Sequence, residues 1–405
     1  MFNKLNYGWI IVILGNLILM TNSLAVFGFG VFLKPIISEF GWERGSISGA
    51  FSIGILVNGF LSIATGRLSD RYGARILVTI GGLSLSTAFF LMSRINSIWQ
   101  IYLVWGLFVG TALSCSAIPI ITTITRWFTK RRGLAMAVVG IGFSLGSMIT
   151  PILIQWLVSS YGWRQSFLIL GFIPIILTTV TAQFIKKETP SLGKDTQEEN
   201  IENGNQTNQD ATDGLSLSQA VVTWRFWIFA LTHFGIGFCL QMIIVHVVPH
   251  AIDIGIPEIA AASTLSIIAG SSFASRFLAG PLSDKTSGRK VIAGSLILLT
   301  LSFILLIFVN NYISFIIFSV IYGLAHGGIV TVLAIIVPEL FGLRHIGAIW
   351  GVILLCGTLG GAVGAPISGI IFDTTKSYDI SFYVGISVAG LSTILSLILL
   401  RLSKK

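Results

Sequence analysis

Gly66-Arg67-Leu68-Ser69-Asp70-Arg71-Tyr72-Gly73-Ala74-Arg75 closes a long apolar run. The chain writes it again as Gly280-Pro281-Leu282-Ser283-Asp284-Lys285-Thr286-Ser287-Gly288-Arg289-Lys290, 214 residues on and with one inserted residue. Gly133 and Gly347 share that offset. A 405-residue chain that repeats at about half its length is a duplicated unit rather than an array of short repeats. Each copy is a short charged turn between apolar stretches, so the unit that was duplicated is built of apolar helices.

Composition agrees. The chain is 54% hydrophobic and 10% charged, against about 25% charged in a soluble domain. That excludes a soluble two-domain enzyme and a disordered chain. The charge-free stretches are 5–33, 45–66, 76–93, 95–125, 133–163, 165–185, 226–252, 259–275, 291–338, 346–372 and 380–400. A membrane-spanning helix needs roughly 20 residues, so ten stretches hold one span each. The stretch 291–338 holds two, broken at Asn310-Asn311. The expectation is an all-α integral membrane protein of twelve transmembrane helices. Ser23-Leu24-Ala25 in the first run resembles a signal cleavage site, but the run continues to Leu33. It reads as a span rather than a signal peptide.

Basic residues set the orientation. With the N-terminus inside, nineteen Lys and Arg fall on the cytoplasmic side and only Lys34, Arg44, Arg94, Arg164 and Lys376 outside. Both termini are then cytoplasmic, in the plasma (inner) membrane. Trp9, Trp42, Trp99, Trp127, Trp163 and Trp224 sit near span ends as interfacial anchors. Residues 188–214 hold seven acids and one lysine in place of apolar residues. Such a segment buries no core and reads as disordered. The domains expected are residues 1–187, a six-helix half; 188–224, a cytoplasmic linker; and 225–405, a second six-helix half.

The Gly-x-Leu-x-Asp-Arg-x-Gly pattern resembles the signature loop of the major facilitator superfamily. The resemblance covers essentially the whole chain and implies the major facilitator fold, with a binding site near the midplane between the halves. Gly66, Gly73 and Gly280 permit a tight cytoplasmic turn. Asp70, Arg71, Asp284, Arg131 and Arg132 are gating candidates, a carboxylate such as Asp70 latching to nearby basic groups and helix N-termini. The alternative is a solvated, topology-setting cluster. Trp127-Phe128-Thr129-Lys130-Arg131-Arg132-Gly133-Leu134-Ala135, with Gly140, Gly142 and Gly146, is similar to the span-5 signature of the monocarboxylate transporters. Gly162-Trp163-Arg164-Gln165-Ser166-Phe167 is similar to that family's entry to span 6. The same glycines also permit close helix packing.

One formal charge interrupts a span. Arg276 lies in span 8, where the repeat places Ser62 in the first half, so the duplicated scaffold does not require it. An intramembrane charge is a functional-site candidate; snorkelling to the nearby loop is the alternative. No Asp or Glu lies in any charge-free stretch, so a substrate carboxylate is the natural partner of this guanidinium. Monocarboxylate transporters place an arginine four residues before the span-8 glycine, which the resemblance assigns here to Arg276. They pair it with an aspartate where this chain has Ser272, and carry a span-1 lysine where it has Phe27. The oxalate–formate antiporter branch adds a lysine in span 11; 346–372 has none, which disfavours a dicarboxylate.

Proton-coupling candidates are Asp253 and His250 at the end of span 7, and His233 within it. His326 in span 10, among Gly323, Ala325, Gly327 and Gly328, joins Arg276, Ser272, Cys115 and Thr331 as a candidate for substrate contact. Cys115, Cys239 and Cys356 lie in apolar runs and suggest neither a disulfide framework nor a metal site. No cofactor, metal or nucleic-acid partner is expected. Nor is an enzyme, since no carboxylate pair or phosphate loop stands in context. The function expected is secondary, proton-linked, alternating-access transport of small monocarboxylates such as lactate or pyruvate. The partners are a small organic anion, protons and the lipid bilayer. An oxalate/formate-type anion exchanger and a non-transporting membrane sensor are the alternatives.

Overall fold

The computed structural model describes residues 2–128, 132–185, 215–342 and 346–401. They form twelve long helices. In the first set, α1 is Phe2–Phe40, α2 Arg44–Tyr72 and α3 Ala74–Met92. Helix α4 covers 98–127, α5 is Arg132–Tyr161 and α6 covers 163–182. In the second set, α7 is Trp224–Asp253, α8 Glu258–Lys285 and α9 Gly288–Ile307. Helices α10, Tyr312–Phe341, α11, Ile346–Thr375, and α12, Asp379–Arg401, complete it. Helices are forced by the solvent: hydrocarbon offers backbone amides no partner, so each segment bonds its own.

Eleven of these helices are long and apolar enough to cross a bilayer by length and composition. The remaining one, α8, has 28 residues but carries Ser263, Ser266, Ser271, Ser272, Ser275 and Arg276. It is sheltered instead of apolar, packed against α10 and α5. The exterior shows the reverse. Phe60, Trp99, Phe184, Phe308 and Ile313 are all more than half exposed, an apolar coat that water would not tolerate and lipid does.

The duplication is visible in the packing. Helix α1 lies on α5 as α7 lies on α11, and α2 lies on α4 as α8 lies on α10. The two sets meet through α2 with α11, α5 with α8, and α1 with α7. Because lipid is as apolar as leucine, close backbone approach and interhelical hydrogen bonds hold such pairs. A Cβ on Gly142 would collide with the Asn16 backbone of α1, and one on Gly146 with Met20 and Ser23. The Asn16 amide donates to the Val138 carbonyl at 2.9 Å, and the Ser23 and Thr150 hydroxyls pair at 2.9 Å. In the second set, Gly237 meets Gly357, Gly360 meets the Phe234 carbonyl and Gly364 meets the Phe238 carbonyl. Gly140, by contrast, faces open space, so close packing accounts for two of the three span-5 glycines.

The turns also follow the sequence. Gly73 has φ +87° and joins α2 to α3 with no other residue between, its N–H donating to the Ser69 carbonyl. Gly162, φ +77°, does the same between α5 and α6. Side chains at these positions would be strained. Two π-helical segments interrupt the ladder, Tyr102–Val109 in α4 and Ile175–Val180 in α6, the latter following Pro174. Proline has no N–H to continue an α-helical ladder.

One boundary differs from expectation. Residues 215–223, counted with the polar linker, hold an ordered helix, Leu217–Val222. Ser216 caps it through the Gln219 N–H, Ala220 is buried beneath it, and the Leu215 N–H donates to the Phe341 carbonyl of α10 at 2.9 Å. Its leucines and valines separate it from the acidic part of the linker, of which 188–214 lies outside the described residues.

The glycine contacts make a specific prediction. Gly142→Ala is expected to destabilise the detergent-solubilised protein by about 1–3 kcal/mol through overpacking against α1. Gly140→Ala is expected to be neutral or stabilising by up to about 1 kcal/mol, since it only removes helix-interior glycine. Thermal unfolding followed by tryptophan fluorescence checks this; equal melting temperatures for the two variants would contradict it.

Candidate functional site

Helices α1, α2, α4, α7, α10 and α11 enclose a cavity of about 320 Å³ between the two sets. On α2 its wall runs from Phe51 to Asn58 at mid-helix, and on α11 from Gly361 at mid-helix to Leu354, so the cavity lies about the middle of the bundle. The π-helical segment of α4 places Trp105 and Val109 on the wall. From α7 come His233, Gly237 and Gln241, spaced four residues apart and therefore on one face.

The end of the bundle away from the chain termini is shut by polar contacts between the two sets. Asp253 at the end of α7 takes two cations from the first set, Lys34 at 3.0 Å and Arg44 at 2.7 Å. Arg44 is only 8% exposed, lies 3.6 Å from the centroid of the Phe372 ring, and donates from Nη1 to the Tyr378 hydroxyl at 2.7 Å. Asp373 accepts from the first N–H groups of α2, Arg44 at 2.9 Å and Gly45 at 2.7 Å, where a carboxylate suits the helix dipole. A buried histidine completes the cluster. The His246 ring lies 2.8 Å through Nε2 from the Ala365 carbonyl and 3.0 Å through Nδ1 from Tyr378 Oη. A carbonyl only accepts, which assigns the proton to Nε2 and leaves Nδ1 to accept from the tyrosine. The resulting chain is Arg44 to Tyr378 to His246 to Ala365. Beside it, Gln155 of α5 donates to Glu258 of α8 at 2.7 Å.

A second, narrower cavity of about 30 Å³ adjoins the first, with Leu240 and His326 walling both. Arg276 and Ser272 of α8 line it, facing Phe27 of α1, Phe143 of α5 and Tyr322 of α10. Ser272 Oγ lies 3.0 Å from His326 Nδ1. The Nε of Arg276 is buried without a hydrogen-bond partner, and among the described residues no acidic side chain pairs with the guanidinium. Chemically, this is a fixed cation beside a serine and an imidazole, in a slot between the two sets that Ser144, Ser147 and Tyr322 also line among apolar residues. An unpartnered buried charge is unfavourable, and an anion entering from the cavity would relieve it.

The candidate residues therefore divide. Arg276, Ser272 and His326 are brought together, and His233 lines the larger cavity. Cys115 and Thr331 line neither of these cavities. Cys115 is buried, and the Thr331 hydroxyl turns back to the Gly327 carbonyl at 2.8 Å, the local backbone bonding common to hydroxyls in helices. His250 is packed among Phe315, Tyr378 and Phe382, away from both cavities. Asp253 belongs to the shut end. Of the gating candidates, Arg131 and the side chains of Asp70, Arg132 and Asp284 lie outside the described residues. Arg71 packs over the Tyr72 ring; Gly66 and Gly280, expected in a tight turn, lie instead inside α2 and α8, and in the first copy the turn falls to Gly73. In the second copy of the loop, Glu339 of α10 accepts from the Gly288 N–H at 3.1 Å and pairs with Arg289 at 3.4 Å.

His246, Tyr378, Asp373 and Gln241 were not among the candidates. Nothing in their sequence neighbourhoods marks them, since each takes its meaning from a helix more than a hundred residues away. The one available cue is that His246 lies a single turn before His250 on the same face of α7.

The chain is similar to proteins that move solutes across membranes. It is 29% identical over 390 residues to Monocarboxylate transporter 13 of Rattus norvegicus, covering 93% of this chain and 85% of that one. It is 24% identical to the uncharacterized MFS-type transporter YcxA of Bacillus subtilis (strain 168), covering 91% and 90%. Among solved structures, a bacterial homologue of the human lysosomal transporter Spinster, inward-facing and occupied, superposes with a TM-score of 0.78 at 15% identity over 96% of each chain. The nucleoside transporter NupG superposes with 0.74 at 15% identity over 99% and 100%. At such identities the likeness is one of fold. The Major Facilitator Superfamily model matches residues 16–287 and 252–405. With that match, the duplicated set of six helices and the cavity between the copies find one explanation: this multi-pass membrane protein belongs to the Major Facilitator Superfamily of transporters.

Proposed function

We propose that the chain is a secondary active transporter of small organic monocarboxylates, lactate and pyruvate among them, working by alternating access and driven by protons. The observation that carries the reading is Arg276: a guanidinium whose Nε is buried without a partner, on the wall of a slot shared with Ser272 and His326. A carboxylate matches that fork through two parallel charge-assisted hydrogen bonds. A single cation in the slot suits one carboxylate better than two. Similarity to proteins named monocarboxylate transporters supports the same assignment.

Alternating access needs one end shut while the other is open. Here the shut end is the Asp253–Arg44–Lys34 cluster with the Asp373 cap on α2. The excess of basic residues on the opposite face makes that face, with both termini, cytoplasmic in the plasma membrane. The cluster is then the outer gate, and the cavity lies on its inner side. A proton arriving from outside on Asp253 would discharge both ion pairs at once. Opening of the outer end is then favoured where protons are abundant, and release of that proton to the inside as the cluster re-forms would complete the coupling.

Two measurements test this in proteoliposomes. Arg276→Ala is expected to lower uptake of labelled lactate or pyruvate about 10- to 100-fold, the range set by losing hydrogen bonds to a charged group. Arg276→Lys should recover only part, because an ammonium lacks the planar fork. Uptake by Arg276→Ala at the parental rate would refute the site. Asp253→Asn is expected to make uptake insensitive to an imposed pH gradient while exchange of internal for external substrate continues. An unchanged response to the gradient would remove Asp253 from proton coupling.

A further inference from the structure

The two adjoining cavities are unequal, and their inequality specifies the substrate beyond its carboxylate. The Arg276 slot, about 30 Å³, has room for a small polar group such as a carboxylate. The neighbouring space is about 320 Å³, within the range of pockets for ligands of drug size. Its walls include Phe51, Trp105, Val109, Ile236 and Leu240, all apolar. A three-carbon acid anchored in the slot would leave these walls without contact. Each further methylene buried against them would raise affinity by a factor of about four.

The larger cavity is not uniformly apolar. His233 Nδ1 and Gln241 Oε1 are buried without hydrogen-bond partners, and both residues line the cavity two turns apart on α7. His233 is 7% exposed, its ring set against Trp350 and Gly357. Polar groups held this way are unfavourable unless something pairs with them. Both belong to the wall of the larger cavity, where a second polar atom of a substrate whose acid end lies at Arg276 could pair with them.

We infer that the preferred substrate is a monocarboxylate carrying an aryl or comparably bulky apolar body, with a hydroxyl or similar hydrogen-bonding group beyond it. The carboxylate occupies the Arg276 slot, the body fills the Trp105 and Phe51 region, and the distal group pairs with Gln241 or His233. This rests on the reading that Arg276 takes the carboxylate; it adds what lies at the other end.

The test compares labelled lactate, phenyllactate and 4-hydroxyphenyllactate in proteoliposomes under an imposed inward proton gradient, with flux into protein-free liposomes subtracted. For the unaltered protein, phenyllactate is expected to show a kcat/KM at least tenfold above lactate, and the 4-hydroxyl to add several-fold more. Gln241→Leu should abolish the gain from the hydroxyl while keeping the preference for the ring. Arg276→Ala should depress all three acids. Lactate transported as well as phenyllactate, with both lost in Arg276→Ala, would overturn the inference and leave the carboxylate site standing. No protein-dependent flux of any of the three, or flux of all three undiminished in Arg276→Ala, would overturn both. The comparison among substrates needs no variant, so misfolding of Gln241→Leu would not shield the inference.

Discussion

Everything in this molecule depends on how closely its helices approach. In hydrocarbon the helices gain nothing by hiding apolar side chains from one another, so contact must come from backbone-to-backbone fit and a few interhelical hydrogen bonds. Gly142 and Gly146 let α5 settle on α1, and Gly237, Gly357, Gly360 and Gly364 do the same for α7 and α11. Between the sets, Gly369 of α11 meets Gly45 of α2. That contact lies beside the Asp373 cap on Arg44 and Gly45. Two smooth faces and one polar cluster thus bring the two sets together at one end while a cavity remains about the middle of the bundle.

This arrangement explains why polar residues collect where they do. At the shut end, several charges are paired: Asp253 with Lys34 and Arg44, Glu258 with Gln155, Glu39 with Arg164 and Trp163. Mid-membrane, the opposite holds. Arg276 Nε, His233 Nδ1 and Gln241 Oε1 lack partners. Groups left unpaired in a low-dielectric interior are unfavourable for folding and mark places where a ligand completes the bonding. Paired charges therefore dominate the closed end, although His250 Nε2 there also lacks a partner, and the three unpaired mid-membrane atoms belong to residues that line the cavities.

Much of this was legible in the chain itself. The repeated Gly66 and Gly280 loops, the charge-free stretches and the positions of Gly73 and Gly162 are local or periodic signals, and they translate directly into twelve helices, two sets and tight turns. Arg276 stood out because charge in an apolar run is conspicuous by itself. Cys115 and Thr331 line neither described cavity, which the sequence does not reveal: a hydroxyl or thiol in a helix looks the same whether it faces a cavity or its own backbone. Serine-rich α8 is read as a span from its freedom from charge, yet only its burial against α5 and α10 explains how so polar a helix sits there.

The sequence by itself determined the class, the helix count and the one intramembrane cation, because hydropathy and charge act on each segment separately. Only the tertiary structure decided which residues meet. Asp253 became one side of a two-cation cluster, His246 a link between Tyr378 and Ala365, and His326 the wall between two cavities. Those roles depend on helix rotation, and rotation is set by which glycine faces find each other across more than a hundred residues. No local pattern encodes that choice; the packing of the whole bundle does.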